Sequence, residues 1–126
     1  MEKITTYGSL LEGAHAHHIL KDSKLIRKGV IDLPYKMVDF GEFPALLKDT
    51  KTNPVYVETY GVSDEVFKEV ERYEGYPAFY TRVKLEDGSY IYIIDNIPSK
   101  LYENFEHIQN WLEYKGIRDI KYYFVK

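Results

Sequence analysis

Cysteine is absent from the 126 residues. Disulfides, thiolate metal centres and cysteine nucleophiles are therefore excluded, and such a chain suits a reducing compartment. An excess of basic residues is also missing: the formal net charge is −3, which gives no electrostatic footprint for nucleic acid. No apolar run approaches the roughly 18 residues of a membrane span. The opening Met1-Glu2-Lys3-Ile4-Thr5-Thr6 has no apolar core of a signal peptide, so a cytoplasmic location is expected. Internal repeats and low-complexity stretches are not visible either. What is present is enough for one domain spanning residues 1–126: hydrophobic residues make up 44%, which can fill a core. The 13 tyrosines suit strands and half-buried pockets, because the ring packs while the hydroxyl finds a partner.

The pattern along the chain predicts many strands and few helices. Ile4 to Tyr7 reads as a strand that stops at Gly8, and His15 to Lys21 as a short helix. Leu25 to Leu33 and Tyr35 to Phe40 read as two strands separated by Pro34, and Phe43 to Leu47 as a further short one. Lys48 to Asn53 is polar and reads as a turn, and Val55 to Val62 alternates as a strand does. Ser63 is a good N-cap for a helix from Asp64 to Glu74, which Gly75 can end in a left-handed conformation and Pro77 prevents from continuing. Asp87-Gly88 predicts a two-residue type I′ hairpin between Phe79–Glu86 and Ser89–Asp95. A last helix is expected from Leu101 to Lys115, with Phe105, Ile108 and Leu112 on one face, then a closing strand from Ile120 to Val125. Together these predict an α+β domain with a small, mixed, mostly antiparallel barrel and flanking helices.

Two features point to chemistry. In the helix before Gly75, Phe67, Val70 and position 74 form one stripe at i, i+3 and i+7, yet position 74 is Glu. A carboxyl on the face that should be buried is desolvated, which raises its pKa as a general acid/base requires. The structural alternative is a helix-end carboxylate paired with Arg72 or Arg82. The second feature is Tyr7-Gly8-Ser9-Leu10, a glycine turn at the end of the first strand. Successive amides there can form an anion-binding nest, with the Ser9 hydroxyl as a further donor. An ordinary strand-to-helix turn is the alternative. The turn is neither a Walker loop nor a dinucleotide fingerprint.

Tyr7-Gly8-Ser9-Leu10, Glu74-Gly75 and Tyr80-Thr81-Arg82, in that order, resemble the gamma-glutamylcyclotransferase-like family. Gly29 and Phe43-Pro44-Ala45-Leu46 resemble its intervening strands, so that the likeness covers roughly residues 4–95. It implies a small barrel with a cavity at one end. It implies that the amides of Gly8, Ser9 and Leu10, with Tyr7, Tyr80 and Arg82, bind a γ-glutamyl amine or peptide, and that Glu74 is the acid/base. The implied reaction is an internal attack of the α-amine on the γ-carbonyl, releasing 5-oxoproline and a free amine. No metal or cofactor is expected, because ring closure needs only orientation and proton transfer. Neither a nucleic-acid nor a membrane partner is expected. A non-catalytic module that binds a small anion on the same fold is the alternative.

The sequence departs from the family in two places. The first strand, Ile4-Thr5-Thr6, is less apolar than usual, and Val57-Glu58 stands where Gly-Glu is common. Glu58 is the second candidate carboxylate, ranked below Glu74 because its spacing suggests a solvent-facing side chain. His15, His17 and His18 cluster after the turn, but adjacent histidines on a helix point apart and no i, i+4 pair exists.

Overall fold

Five strands, two α-helices and two short 3-10 turns make up residues 1–116, the part of the chain that the computed structural model describes. β1 (Glu2–Thr6) runs through the middle of the sheet. It pairs antiparallel with β3 (Pro44–Val62) on one side and parallel with β5 (Tyr90–Ile93) on the other. β2 (Lys24–Asp39) lies outside β3, and β4 (Thr81–Lys84) outside β5, giving the order β2-β3-β1-β5-β4. The sheet is thus mixed and mostly antiparallel, as expected, but it is open among the described residues, and "barrel" describes it only loosely. The expected closing strand from Ile120 to Val125 lies outside the described residues.

The three strands and the turn expected between residues 25 and 53 merge into one long hairpin. Leu33 pairs with Asn53 and Tyr35 with Lys48, so that residues 49–52 bulge opposite the single residue Pro34. Pro34 has no N–H for the ladder, and the bulge sits where that donor is missing. Asn53 closes the bulge, donating from Nδ2 to the Tyr35 carbonyl and to Asp49 Oδ2, both at 2.9 Å. The first half of β3 then reaches β5: the Ile94 amide donates to the Leu46 carbonyl at 3.1 Å. The polar residues of β1 also find their explanation. Buried Thr5 shares hydrogen bonds with Thr59 (2.6 Å) and Ser89 (2.7 Å), one on each neighbouring strand or its edge.

α1 (Asp64–Glu74) begins and ends where its signals place it. The Val66 amide donates to Ser63 Oγ at 3.2 Å, and Gly75 takes φ 69°. Two other expectations are corrected. The β4–β5 connection spans residues 85–89, closed by Leu85 N to Ser89 O at 2.8 Å and Gly88 N to Leu85 O at 2.9 Å, so that Glu86-Asp87-Gly88 lie inside the closing pair. Gly88 alone in that turn takes a positive φ, 85°, whereas a type I′ turn needs two such residues. The last helix, α2, spans only Trp111–Lys115, and Phe105 is exposed. Residues 107–109 bond instead to the hairpin. Ile108 N donates to Met37 O at 3.1 Å, Met37 N to His107 Nδ1 at 3.0 Å, and Tyr56 N to Gln109 O at 2.8 Å. Asn110 caps what remains, accepting from the Leu112 and Glu113 amides. The expected helix at residues 15–21 is a 3-10 turn over His17–Leu20.

The corner after β1 is tight. A Cβ at Gly8 would lie 2.6 Å from Cγ and 2.9 Å from Cδ of Pro44. Glycine is therefore required at position 8 for close approach, since its φ is not positive. Gly8→Ala should destabilise the fold by about 1–3 kcal/mol, the usual penalty for overpacking a rigid contact. Adding Pro44→Ala should restore most of the loss in a denaturant titration. A double variant as unstable as Gly8→Ala would show that the Pro44 ring is not the obstacle.

Candidate active site

The Tyr7–Leu10 corner and the end of α1 face each other across a cavity of about 220 Å³. Its walls bring together Tyr7, Gly8, Ser9, Leu10, Glu74 and Tyr80. Three further residues of the wall, Phe43, Tyr73 and Tyr92, carry no chemical signature in the sequence. Among the described residues the lining holds one carboxyl, Glu74, and no Lys or Arg.

Glu74 takes its place from the helix period, which carries the Phe67–Val70 stripe onto the cavity side. Neither a hydrogen bond nor an ion pair from a described residue reaches its carboxylate. Burial alone pushes its pKa up, from an ordinary 4.5 to about 8. The tyrosine hydroxyls that might have bonded it are tied elsewhere. Tyr7 donates to the Tyr92 carbonyl at 2.6 Å, Tyr80 to the Pro44 carbonyl at 2.6 Å, and Tyr92 to Glu71. Burial holds all three phenols above their usual range, with repulsion from Tyr80 and Glu74 adding to it at Tyr7.

The corner supplies donors. Ser9 and Leu10 both line the cavity, and among the described residues their amides donate to no acceptor. The rest of the corner is fixed by its neighbours. Leu11 N bonds Gly8 O at 3.0 Å and Ala16 N bonds Ser9 O at 3.0 Å. The His17 Nδ1–H donates to the Leu10 carbonyl at 2.9 Å. Among the described residues no group of three or more His, Cys, Asp and Glu side chains converges as metal ligands would.

Two expectations from the sequence are corrected here. Arg82 does not reach the cavity. Its Nη1 donates to Glu71 Oε1 at 2.7 Å, and its guanidinium lies over Tyr76 and Tyr90, 4.5 Å from each ring centroid. Three aromatic rings and a carboxylate beside α1 are a better site for a weakly hydrated cation than an apolar cavity. Glu58, expected at the solvent face, is 1% exposed. It accepts from the Glu12 amide at 2.9 Å, Tyr60 at 2.8 Å and Tyr56 at 2.7 Å. With its oxygens saturated it braces the loop after the corner rather than facing a ligand. The sequence signal for this was Tyr56-x-Glu58-x-Tyr60, three residues pointing the same way on one strand.

The glycine corner, with amides free among the described residues, and the half-buried, unpaired carboxyl of Glu74 thus face each other across one cavity of an open mixed sheet. The family model described as gamma-glutamyl cyclotransferase, AIG2-like, matches residues 4–113, and the chain belongs to that family. A protein of Methanocaldococcus jannaschii named "Putative gamma-glutamylcyclotransferase MJ1514" is 34% identical over 86 residues, 68% of this chain and 71% of its own length. Two solved structures share the fold. One is an uncharacterised protein of Pyrococcus horikoshii, with TM-score 0.68, 23% identity, and coverage of 91% of this chain and 93% of its own. The other is an AIG2-like protein from mouse, with TM-score 0.68, 19% identity, and 88% of each chain covered.

The raised pKa of Glu74 has a consequence for stability. The folded protein holds this proton up to about pH 8, whereas the unfolded chain releases it near the ordinary 4.5. The contribution of the protonated group is fully present below pH 4.5 and is lost as pH rises through about 8. Glu74→Gln removes this dependence. The melting temperature of the variant minus that of the wild type should therefore increase between pH 5 and 8.5. A difference that stays flat over that range would mean that Glu74 ionises normally.

Proposed function

We propose that the protein cyclises a γ-glutamyl amine or peptide, releasing 5-oxoproline and the free amine, with Glu74 as the acid/base. The observation that carries this reading is the unpaired, desolvated carboxyl of Glu74 in the same cavity as the free amides of Ser9 and Leu10. With no Lys or Arg among the described residues of the cavity wall, backbone donors at the Ser9–Leu10 corner are the groups offered to an anionic part of the substrate.

The steps follow from that arrangement. The substrate brings its own nucleophile, an α-amine that is inert while protonated. Ionised Glu74 takes one proton from the ammonium. The nitrogen lone pair attacks the γ-carbonyl carbon, the C–N bond of the ring forms, and charge develops on the carbonyl oxygen. Amides pre-aligned on that oxygen stabilise the transition state more than the ground state. The tetrahedral intermediate collapses as Glu74 returns its proton to the leaving nitrogen and the bond to that amine breaks; the second proton of the ring nitrogen then passes by way of the carboxylate to the freed amine, which departs as an ammonium. The carboxylate is regenerated, and one substrate gives 5-oxoproline and one amine. A group with a pKa near 8 suits both transfers, because it gains and loses a proton at similar free energy near neutral pH. The attack is intramolecular, so the cavity's main task is to hold the glutamyl chain folded on itself.

The test is 5-oxoproline release from a panel of γ-glutamyl amines and dipeptides. Wild-type kcat/KM should rise with pH toward about 8, since the active form is the ionised carboxylate. Glu74→Gln should lower kcat by about 10²–10⁴-fold, the usual worth of a positioned acid/base, while the substrate still binds in calorimetry. Binding across the panel with no 5-oxoproline from the wild type would instead establish a non-catalytic module.

A further inference from the structure

Glu74 has no hydrogen bond of its own to fix it against the corner, and that raises the question of what sets the spacing between them. Tyr73, the neighbouring residue on α1, answers it. Its hydroxyl lies 2.6 Å from Ser9 Oγ and 3.4 Å from His15 Nε2. Among the described residues this is the side-chain hydrogen bond that joins α1 to the Tyr7–Leu10 corner. Both Ser9 and Tyr73 line the cavity, whereas the hydroxyls of Tyr7, Tyr80 and Tyr92 are committed to backbone or to Glu71.

We propose that Tyr73 is a positioning residue: its hydroxyl ties the last turn of α1 to Ser9, and so holds Glu74 at a fixed distance from the corner amides. This rests on the function proposed above. Three observations carry it. First, α1 ends one residue later at Glu74, with Gly75 as its cap, so the end that carries Glu74 has no further helical turn to anchor it. Second, Tyr73 is 40% exposed, so its ring adds little to the core, and the hydroxyl contact is what distinguishes tyrosine from phenylalanine at this position. Third, the bond has a direction that helps the site. Either hydroxyl of this pair can donate, and the phenol is the better donor, which favours Tyr73 donating to Ser9 Oγ. The Ser9 proton is then left free to turn into the cavity beside the Leu10 amide, and a chain of hydroxyls polarises each link. His15, exposed and with Nε2 on the far side of Tyr73, completes the chain toward solvent.

Tyr73 also borders a second cavity that contains His15, Glu42, Phe43, Trp111 and Lys115. With Phe43 it stands on the seam between the two, on the side from which an amine half could extend out of the glutamyl pocket.

The test compares Tyr73→Phe, Ser9→Ala and the double variant Tyr73→Phe/Ser9→Ala, with γ-glutamyl-alanine as substrate. Tyr73→Phe should lower kcat by about 10-fold, the worth of one hydrogen bond, with KM within about twofold and the melting temperature nearly that of the wild type. The double variant should be no slower than the slower single variant, because both changes break one contact. Losses that multiply in the double variant would overturn the proposal. So would a Tyr73→Phe enzyme with wild-type kcat, or a kcat loss matched by a fall in melting temperature. An active wild type with unimpaired Tyr73→Phe sinks only this inference; a wild type that releases no 5-oxoproline from any substrate sinks the proposed function and this inference with it.

Discussion

A carboxyl group buried without a partner is expensive, and its neutral form is favoured until the pH is well above its usual range. Much of the architecture around Glu74 can be understood as maintaining that condition. Arg82 would neutralise Glu74 if it reached the cavity, but it is held by Glu71 and by the rings of Tyr76 and Tyr90. Four tyrosines line the cavity, but Tyr7, Tyr80 and Tyr92 are turned to other acceptors and Tyr73 is bonded to Ser9. What remains beside the carboxyl is apolar wall, and the pKa follows from it.

The opposite face of the cavity meets the reverse requirement, since its donors must be free yet immobile. β3 does most of this from both of its ends. Pro44, its first residue, packs on Gly8 so closely that no side chain fits there. Glu58, far along the same strand, takes the Glu12 amide just beyond the corner. One strand can do both only because it bulges opposite Pro34 and bends back toward β5. A proline that would merely end a strand in isolation thus shapes the cavity, by making a long hairpin fold over the corner instead of running straight past it.

The parts of this design that were legible in the sequence are those fixed within a few residues. The Ser63 cap, the Gly75 stop and the stripe that ends in Glu74 all act inside one helix, and the helix formed as its own residues dictate. The corner was legible as a turn, though its glycine serves a close approach to a residue distant in sequence rather than an unusual φ. What was not legible depends on distant partners. Residues 101–110 have a helical apolar period, but their backbone groups find better partners on Met37 and Tyr56, and tertiary pairing overrides local preference. The bulge could not be read from Lys48 to Asn53 alone, because Pro34 on the opposite strand defines it. Arg82 shares a strand face with Tyr80 by period, yet a side chain that long is placed by its acceptor, and Glu71 stood in the sequence as one of several surface charges on α1.

Glu58, Glu71 and Glu74 make the same point from the side of chemistry. All three are carboxylates at or beside the core, and residue type alone does not tell them apart. Glu58 meets three donors, so its oxygens are saturated and its work is mechanical. Glu71 meets a guanidinium and a phenol, and so fixes the charge of Arg82. Glu74 lies one helical turn beyond Glu71 and meets neither. Because Glu71 and Glu74 are three residues apart, they lie on neighbouring parts of one helix surface, and a single cation nearby could have served either. The three rings that enclose Arg82 decide the matter in favour of Glu71. Aromatic packing on the outer side of α1 is therefore an electrostatic device for the inner side: it holds the positive charge one turn away, and so leaves the cavity with a carboxyl able to exchange a proton near neutral pH.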